Sequence, residues 1–298
     1  MQVINDMFGS IGVSLVKRFA GMSMERRKQL ARVLSSILWR AVPKRRKIAL
    51  RNLELCFPAM TQEERAALAK RLCFNIARAA VDHGDLWNGT VEQVRSLVRI
   101  EGLENITNEK GHPLLVIAPH FVGLDAAVTA LATHIRGAGL YQRQKNAAWN
   151  EAVLQGRQRF SGSILVEKTG AGMGDVKQII RLMRQNLPFY YLPDLDYGRS
   201  HSEFIDFFGV KAATVTATSK LARIAKAKVI FCVTEMTDSG YVVHISKPLD
   251  HFPTDDVVAD TVRIQAEIER WILKFPDQYF WMHRRFKTRP EGEKSVYT

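Results

Sequence analysis

A chain of 298 residues, 46% of them hydrophobic, is long enough for one large domain or two small ones with a sizeable core, which excludes a mainly disordered protein. Its 43 basic and 30 acidic residues give a net charge of +13, and such an excess asks for an anionic partner: nucleic acid, an anionic membrane surface or a phosphorylated substrate. The three cysteines, Cys56, Cys73 and Cys232, are widely spaced and odd in number and show no metal-binding or CxxC spacing, so a reducing compartment is the simple reading.

The first 22 residues are amphipathic, with Val3, Ile4, Met7, Phe8, Ile11, Leu15 and Phe19 on one helical face. Asp6, Lys17 and Arg18 interrupt them, so they fall short of the roughly 18 apolar residues of a membrane span, and they lack the pattern of a signal peptide. Two readings stay open here, a helix lying in a membrane interface and a helix packed on the core. From Arg26 to Arg51 the sequence carries basic residues and no acidic one, interleaved with Leu30, Val33, Leu34, Ile37, Leu38 and Trp39 and broken at Pro43. That pattern suits attachment to an anionic membrane, with a solvated basic helix face as the alternative. No recognition motif for nucleic acid accompanies the charge.

Thr61 and Glu64 form a capping box that opens a helix to about Asp85, with Leu68, Leu72, Ile76 and Ala79 or Ala80 as its buried stripe. Asp82, His83 and Asp85 lie near its end, within reach of a site or on a plain surface. From about residue 95 strand-like and helical runs alternate. The strands expected are 98–101, 114–118, 163–167, 189–192, 228–234 and 241–246, and the helices 124–134, 148–159, 175–186, 214–227 and 255–274. The last two strands, joined through Asp238-Ser239-Gly240, read as an antiparallel hairpin. The fold class expected is α/β, with a mixed, mostly parallel central sheet flanked by helices. The chain divides into a helical, basic region, 1–95, and an α/β domain, 96–298. The last helix has a Thr254-Asp255-Asp256 start and a core stripe of Ile264, Ile268, Trp271 and Phe275. The aromatic and basic tail after it is expected along the body, near the membrane side.

The stretch Leu114–Asp125, LLVIAPHFVGLD, places a histidine where a buried strand ends and an acid in the first turn of the next helix. Ligands of open α/β sheets bind at such strand ends. His120 has the residue type of a general base at neutral pH, and Asp125, reached across a bend at Gly123, is placed to orient it. The same helix N-terminus offers N–H groups to a developing oxyanion. Equally, Asp125 caps its helix and His120 is an ordinary loop residue.

The stretch HFVGLD, with YQRQKN (141–146), GRQRF (156–160), LPDLDYG (192–198), FFGVKAATVTATSKLARIAKAKV (207–229), HRRFKTRPEGE (283–293) and IALRNLELCFP (48–58), resembles the lipid A biosynthesis acyltransferases of Gram-negative bacteria, within the wider glycerolipid acyltransferase superfamily. The resemblance spans residue 40 to the C-terminus. It implies an enzyme that moves a fatty acyl chain from acyl carrier protein, or from acyl-CoA, to a hydroxyl of a lipid A precursor, at the cytoplasmic face of the inner membrane and bound there peripherally. It needs no cofactor and no metal. The family's H-x4-D/E motif falls on His120 as base and Asp125 as orienter. Its arginine-bearing block falls on Arg157 and Arg159, expected to bind a phosphate or the oxyanion. Its P-D-x-D block falls on Asp194, expected to position the acceptor or an arginine, and on Asp196. Arg143 and Lys145 are expected to meet an anionic headgroup or the donor's phosphopantetheine. The chain departs from many family members in having Asp at the second motif position and a short, charged N-terminus, which favours surface attachment. Acylation of a lysophospholipid or amino-acid lipid is the alternative among enzymes; a non-enzymatic protein binding membranes or nucleic acid through 26–51 is the alternative of another class. Phe204, Phe207, Phe208 and Val210 read as the lining of an acyl pocket or as aromatic core.

Overall fold

The computed structural model describes residues 2–168 and 173–297, and for 2–8 and 173 the backbone alone. Five helices come first: α1 (Gln2–Arg18), α2 (Met24–Ala41), α3 (Pro43–Cys56), α4 (Gln62–Asn88) and α5 (Val91–Leu97). Pro43 sits at the start of α3, where its missing N–H costs nothing, and this separates α2 from α3. The Thr61/Glu64 capping box is formed and opens α4. Then follow β1 (Val98–Glu101), α6 (Glu104–Thr107), β2 (Leu114–Ile117), α7 (Leu124–Ala132), β3 (Ala138–Tyr141), α8 (Ala147–Gln158), β4 (Ile164–Glu167), α9 (Met173–Arg184), β5 (Phe189–Tyr191), β6 (Ser202–Phe207), β7 (Val210–Val215), α10 (Ala217–Ala225), β8 (Lys228–Met236), β9 (Tyr241–Ile245) and α11 (Val257–Lys274).

Seven strands form one sheet in the order β1-β9-β8-β2-β5-β3-β4. All its pairs are parallel except the hairpin β8–β9, so the sheet is mixed and mostly parallel, as the alternating pattern implies. Successive side chains of β2 go to opposite faces. Leu115 and Ile117 join Leu53, Leu68, Leu72, Phe189 and Phe231 on one side, the side of α3, α4 and α9 to α11. Leu114 and Val116 join Ala127, Leu131, Tyr190 and Ile230 on the other, the side of α7. The N-terminal helices therefore share a core with the sheet.

Two regions differ from expectation. The stretch 210–215 is a strand, and α10 begins only at Ala217. Its Ala-rich composition suits a helix, but Phe207 pairs with Val210 across a two-residue turn, and Phe208 and Gly209 both adopt positive φ. The tertiary pairing of β6 with β7 outweighs the local propensity. Strand β3, Ala-Gly-Leu-Tyr, is too short and too small-sided to read as an apolar run.

The tail does not lie apart. It crosses the C-terminal edge of the sheet, where the Phe280 N–H donates to the His120 carbonyl at 2.9 Å and the Val122 N–H donates to that of Gln278 at 2.8 Å. The Asn52 amide on α3 donates to the carbonyls of Trp281 and His283, each at 2.7 Å. Phe207 is fully buried among Tyr279, Trp281 and Phe286, so it belongs to the aromatic core rather than to a chain pocket.

Arg27 of α2 is buried against Asp82 (3.2 Å) and Asp85 of α4. Asp82 also accepts from the Tyr241 hydroxyl at 2.8 Å. Of the apolar face of α1, the side chains of Val3, Ile4, Met7 and Phe8 lie outside the described residues, while Ile11 and Leu15 are exposed, as are Val33 and Ile37 of α2. Among the described residues no helix is long and apolar enough to cross a membrane.

Candidate active site

Strands β2 and β5 are parallel neighbours in a register that sets Ile117 beside Tyr191. Each strand is stopped by a proline two residues on, and the next residue is His120 in one and Asp194 in the other. Equal offsets from paired positions bring the two side chains together. His120 Nδ1 lies 2.7 Å from Asp194 Oδ1, and the His120 backbone N–H donates to Oδ2 at 2.8 Å. Asp194 is fully buried, and its backbone carbonyl accepts from the Tyr279 hydroxyl at 3.3 Å. Burial alone would raise the Asp194 carboxyl, but the His120 ring and the hydrogen bonds from that ring and its backbone outweigh it and hold the group below the usual carboxylate range. With Nδ1–H held by a carboxylate, Nε2 is the basic nitrogen, and the His120 side chain is open to an adjoining cavity.

That cavity, about 430 Å³, lies between α7 and α8 on one side and β3, β4 and β5 on the other. Leu124, Val128, Leu131, Ile135, Leu165 and Leu192 give it an apolar wall, and His120, Asp125, Arg157 and His83 stand together in its lining. Asp125 does not bond to His120. Its Oδ1 takes Arg157 Nε at 2.7 Å and Nη2 at 2.6 Å, and its Oδ2 takes His83 Nε2 at 3.1 Å. The contact expected between His120 and Asp125 is thus not made; His120 bonds Asp194 instead. Position in the first turn of α7 turns Asp125 towards α4 and α8 instead. Nor does its side chain cap α7, because Gly123 is the N-cap and no side chain bonds there. Burial pushes the Asp125 carboxyl up, but the Arg157 guanidinium and His83 prevail and hold it well below the usual range. The other nitrogen of His83, Nδ1, faces the Ala79 carbonyl at 2.5 Å. The Asp125 carboxylate thus sits between the Arg157 guanidinium and the His83 ring, and the helix dipole of α7 adds positive potential at the same place.

The sequence matches that of the family described as bacterial lipid A biosynthesis acyltransferase over residues 3–288. The chain belongs to that family. It is 32% identical over 259 residues to a lipid A biosynthesis acyltransferase of Haemophilus influenzae, covering 85% of this chain and 81% of that one. To the lipid A biosynthesis lauroyltransferase of Escherichia coli it is 31% identical, over 89% of this chain and 86% of that one. The lipid A biosynthesis myristoyltransferase of the same organism is 29% identical, over 85% and 78%. The solved structure of the 1-acyl-sn-glycerophosphate acyltransferase PlsC from Thermotoga maritima overlays with a TM-score of 0.39 and 13% identity, over 84% of this chain and 97% of that one.

The remaining expected residues separate. Arg159 lies outside the cavity lining; it bonds the carbonyls of Leu86 (3.4 Å) and Gly89 at the end of α4 and covers the Phe160 ring, which makes it a tie between α8 and α4. Asp196 is buried and turned away, accepting from the Thr288 N–H (2.6 Å), the Thr288 hydroxyl (2.8 Å) and the Gly198 N–H (2.9 Å). It fastens the tail to the β5 loop. Asp194 meets a histidine, not an arginine. Arg143 and Lys145 are exposed on the loop after β3, at the same edge of the sheet as His120, with Arg143 3.8 Å from Glu167. His83 was legible only as part of an acidic cluster; its neighbours Asp82 and Asp85 turn to Arg27. Burial pushes all three thiols up, which leaves them poor nucleophiles. Among the described residues no cluster of three acidic, histidine or cysteine side chains is arranged to hold a metal ion.

Proposed function

We propose that the enzyme carries a fatty acyl chain from a thioester, on acyl carrier protein or coenzyme A, to a hydroxyl of a lipid A precursor, with His120 as general base and Asp194 as its positioning partner. The acyl chain lies in the apolar cavity with its carbonyl at the mouth. Nε2 of His120 takes the acceptor's proton as the oxygen attacks the carbonyl carbon, and Asp194 stabilises the imidazolium that forms. The tetrahedral intermediate carries its negative charge towards Arg157 and the first turn of α7. Collapse breaks the carbon–sulfur bond, and the imidazolium returns its proton to the leaving thiolate. Atoms and charge balance without a covalent enzyme intermediate.

The observation that carries this reading is the His120–Asp194 pair opening onto an apolar cavity. Exposed Arg143 and Lys145 suit the phosphates of either substrate, and the charge of +13 suits an acidic carrier and a phosphorylated acceptor. Ile11, Leu15, Val33 and Ile37 are exposed beside Arg26, Arg32, Arg40 and Lys44, which suits peripheral attachment to an anionic membrane, the cytoplasmic face of the inner membrane. The test supplies purified enzyme with acyl carrier protein thioester and a lipid A precursor and reads the product by mass spectrometry. Wild type adds one acyl chain and His120→Ala, folded by circular dichroism, adds none. Transfer by His120→Ala at the wild-type rate overturns the reading.

A further inference from the structure

Helices and sheets in an α/β layer pack at the density of organic crystals, so a cavity between them needs side chains to be missing. On β3 they are. Ala138 and Leu140 face the α9 side of the sheet, where both pack in its core. By alternation Gly137, Gly139 and Tyr141 face α7 and α8, and the whole run from Gly137 to Tyr141 borders the cavity. Glycine weakens a strand interior, so its presence needs a reason. Backbone strain is not the reason, because neither Gly137 nor Gly139 has a positive φ. Space is. A Cβ on Gly139 would meet only Tyr190, its Cβ at 3.5 Å and its carbonyl oxygen at 3.8 Å. The three atoms nearest a Cβ on Gly137 would be the Pro188 oxygen at 3.3 Å and two of the Tyr190 ring at 3.5 and 3.9 Å. The nearest atoms in both cases come from the β5 side, and at Gly139 no atom of α7 or α8 is within 4 Å. A side chain added at either position enters the cavity.

The two glycines also stand at defined depths. Helix α7 starts beside His120 and leads away from the mouth through Leu124 and Val128 to Leu131, about 10 Å along its axis, with Ile135 beyond its end. Strand β3 returns, so Gly137 lies at the far end, Gly139 part-way and Tyr141 near the mouth, over about 13 Å.

We propose that Gly137 and Gly139 set the longest acyl chain this enzyme accepts, by leaving open the inner half of the cavity. The inference rests on the reading that the cavity receives the acyl chain. Gly139→Ala is the mildest probe, since its methyl makes ordinary contacts with Tyr190; Gly139→Val fills more, with a residue suited to a strand. Gly137→Ala probes the far end. The experiment measures kcat/KM for wild type and the three variants against acyl carrier protein thioesters of increasing saturated chain length. Each variant is expected to keep the short-donor rate, which reports an intact fold and site, and to lose the longest donors accepted by wild type by about 10–200-fold, the discrimination that one methylene commands in an apolar pocket. Gly139→Val is expected to cut off at a shorter chain than Gly137→Ala. Variants whose length profile matches wild type, or whose rates fall equally at all lengths, overturn the inference. A wild-type enzyme that transfers from no donor overturns the proposed function instead.

Discussion

His120 Nδ1 stands 2.7 Å from Asp194 Oδ1, while Oδ2 of the same carboxylate holds the His120 backbone N–H at 2.8 Å. Two donors from one residue meet two acceptors of the other, which fixes both the tautomer and the ring plane. Asparagine at 194 keeps the shape but replaces one acceptor by a donor, so one of the two N–H groups faces another N–H. Asp194→Asn is expected to lower kcat by about 10²–10⁴-fold, the range of a lost general base, with the donor KM little changed. Steady-state kinetics on the folded variant checks this, and a kcat within threefold of wild type (about 0.7 kcal/mol) contradicts it.

Asp125 and Arg157 touch each other, and Asp125 makes no bond to His120. Each single change, Asp125→Asn and Arg157→Met, is expected to lower kcat/KM by more than about tenfold, because either one leaves the other out of position at the mouth. The double variant is expected to cost less than the product of the two. A double-mutant cycle on kcat/KM measures the coupling, which for residues in contact runs to about 0.5–3 kcal/mol. Strict additivity would separate the two residues.

The same carboxylate gives a pH signature. The folded-state pKa of Asp125 lies well below its unfolded value because of Arg157 and His83, which prevail over burial. Such a group contributes its full stability above the unfolded value, about 3.9, and loses it as pH falls through the folded one. Asp125→Asn is therefore expected to be less stable than wild type at neutral pH, with the gap closing below about pH 4. Urea unfolding across that range reads it. A gap independent of pH would mean that the loss is one of packing rather than of charge.

The sheet was largely legible because its buried strands are short apolar runs bounded by prolines and glycines. The hairpin β6–β7 was not, since Ala212, Ala213 and Thr214 suit a helix and only their pairing with Ile205, Phe204 and Glu203, in that order, decides otherwise. The site was legible by half. His120 stands at a strand end that local sequence reveals, but its partner is 74 residues away and depends on β2 lying beside β5. The nearer acid, Asp125, competes for the assignment on spacing alone. A usable signal was present in the repeated punctuation: Pro119-His120 and Pro193-Asp194 end two buried runs in the same way. Asp196 misleads for a related reason, because its partner Thr288 comes from a tail without periodicity.

Packing between α4 and α8 supports Arg157 from behind. Gly156 is buried where a Cβ would stand 2.5 Å from Cγ and Cδ1 of Trp87, closer than real atoms approach. Gly156→Ala is thus expected to destabilise the fold by about 1–3 kcal/mol through overpacking, against the small gain that alanine brings to a helix. It is also expected to lower activity, since Arg157 is the next residue. Thermal unfolding and kcat/KM measured together check both, and a variant as stable as wild type would mean that Trp87 moves aside freely.

Asp196 offers the contrasting case, a buried acid in the family's motif block that holds structure rather than substrate. Its oxygens take the Thr288 N–H and hydroxyl and the Gly198 N–H, and its own N–H donates to His283 Nε2 at 3.1 Å. Removing the carboxylate leaves the half-buried Thr288 and Gly198 donors without their acceptor, at up to about 1–3 kcal/mol each. The tail beyond His283 then loses its hold on the β5 loop, while Arg285 still anchors to the Ala213 carbonyl at 2.8 Å. Asp196→Ala is expected to lower the unfolding temperature and to speed hydrogen exchange in 286–297 before any other part of the chain. The residual activity should follow the folded fraction, with the donor KM unchanged. A raised KM at full stability would return Asp196 to the substrate, and exchange unchanged in the tail would remove it from its anchoring role.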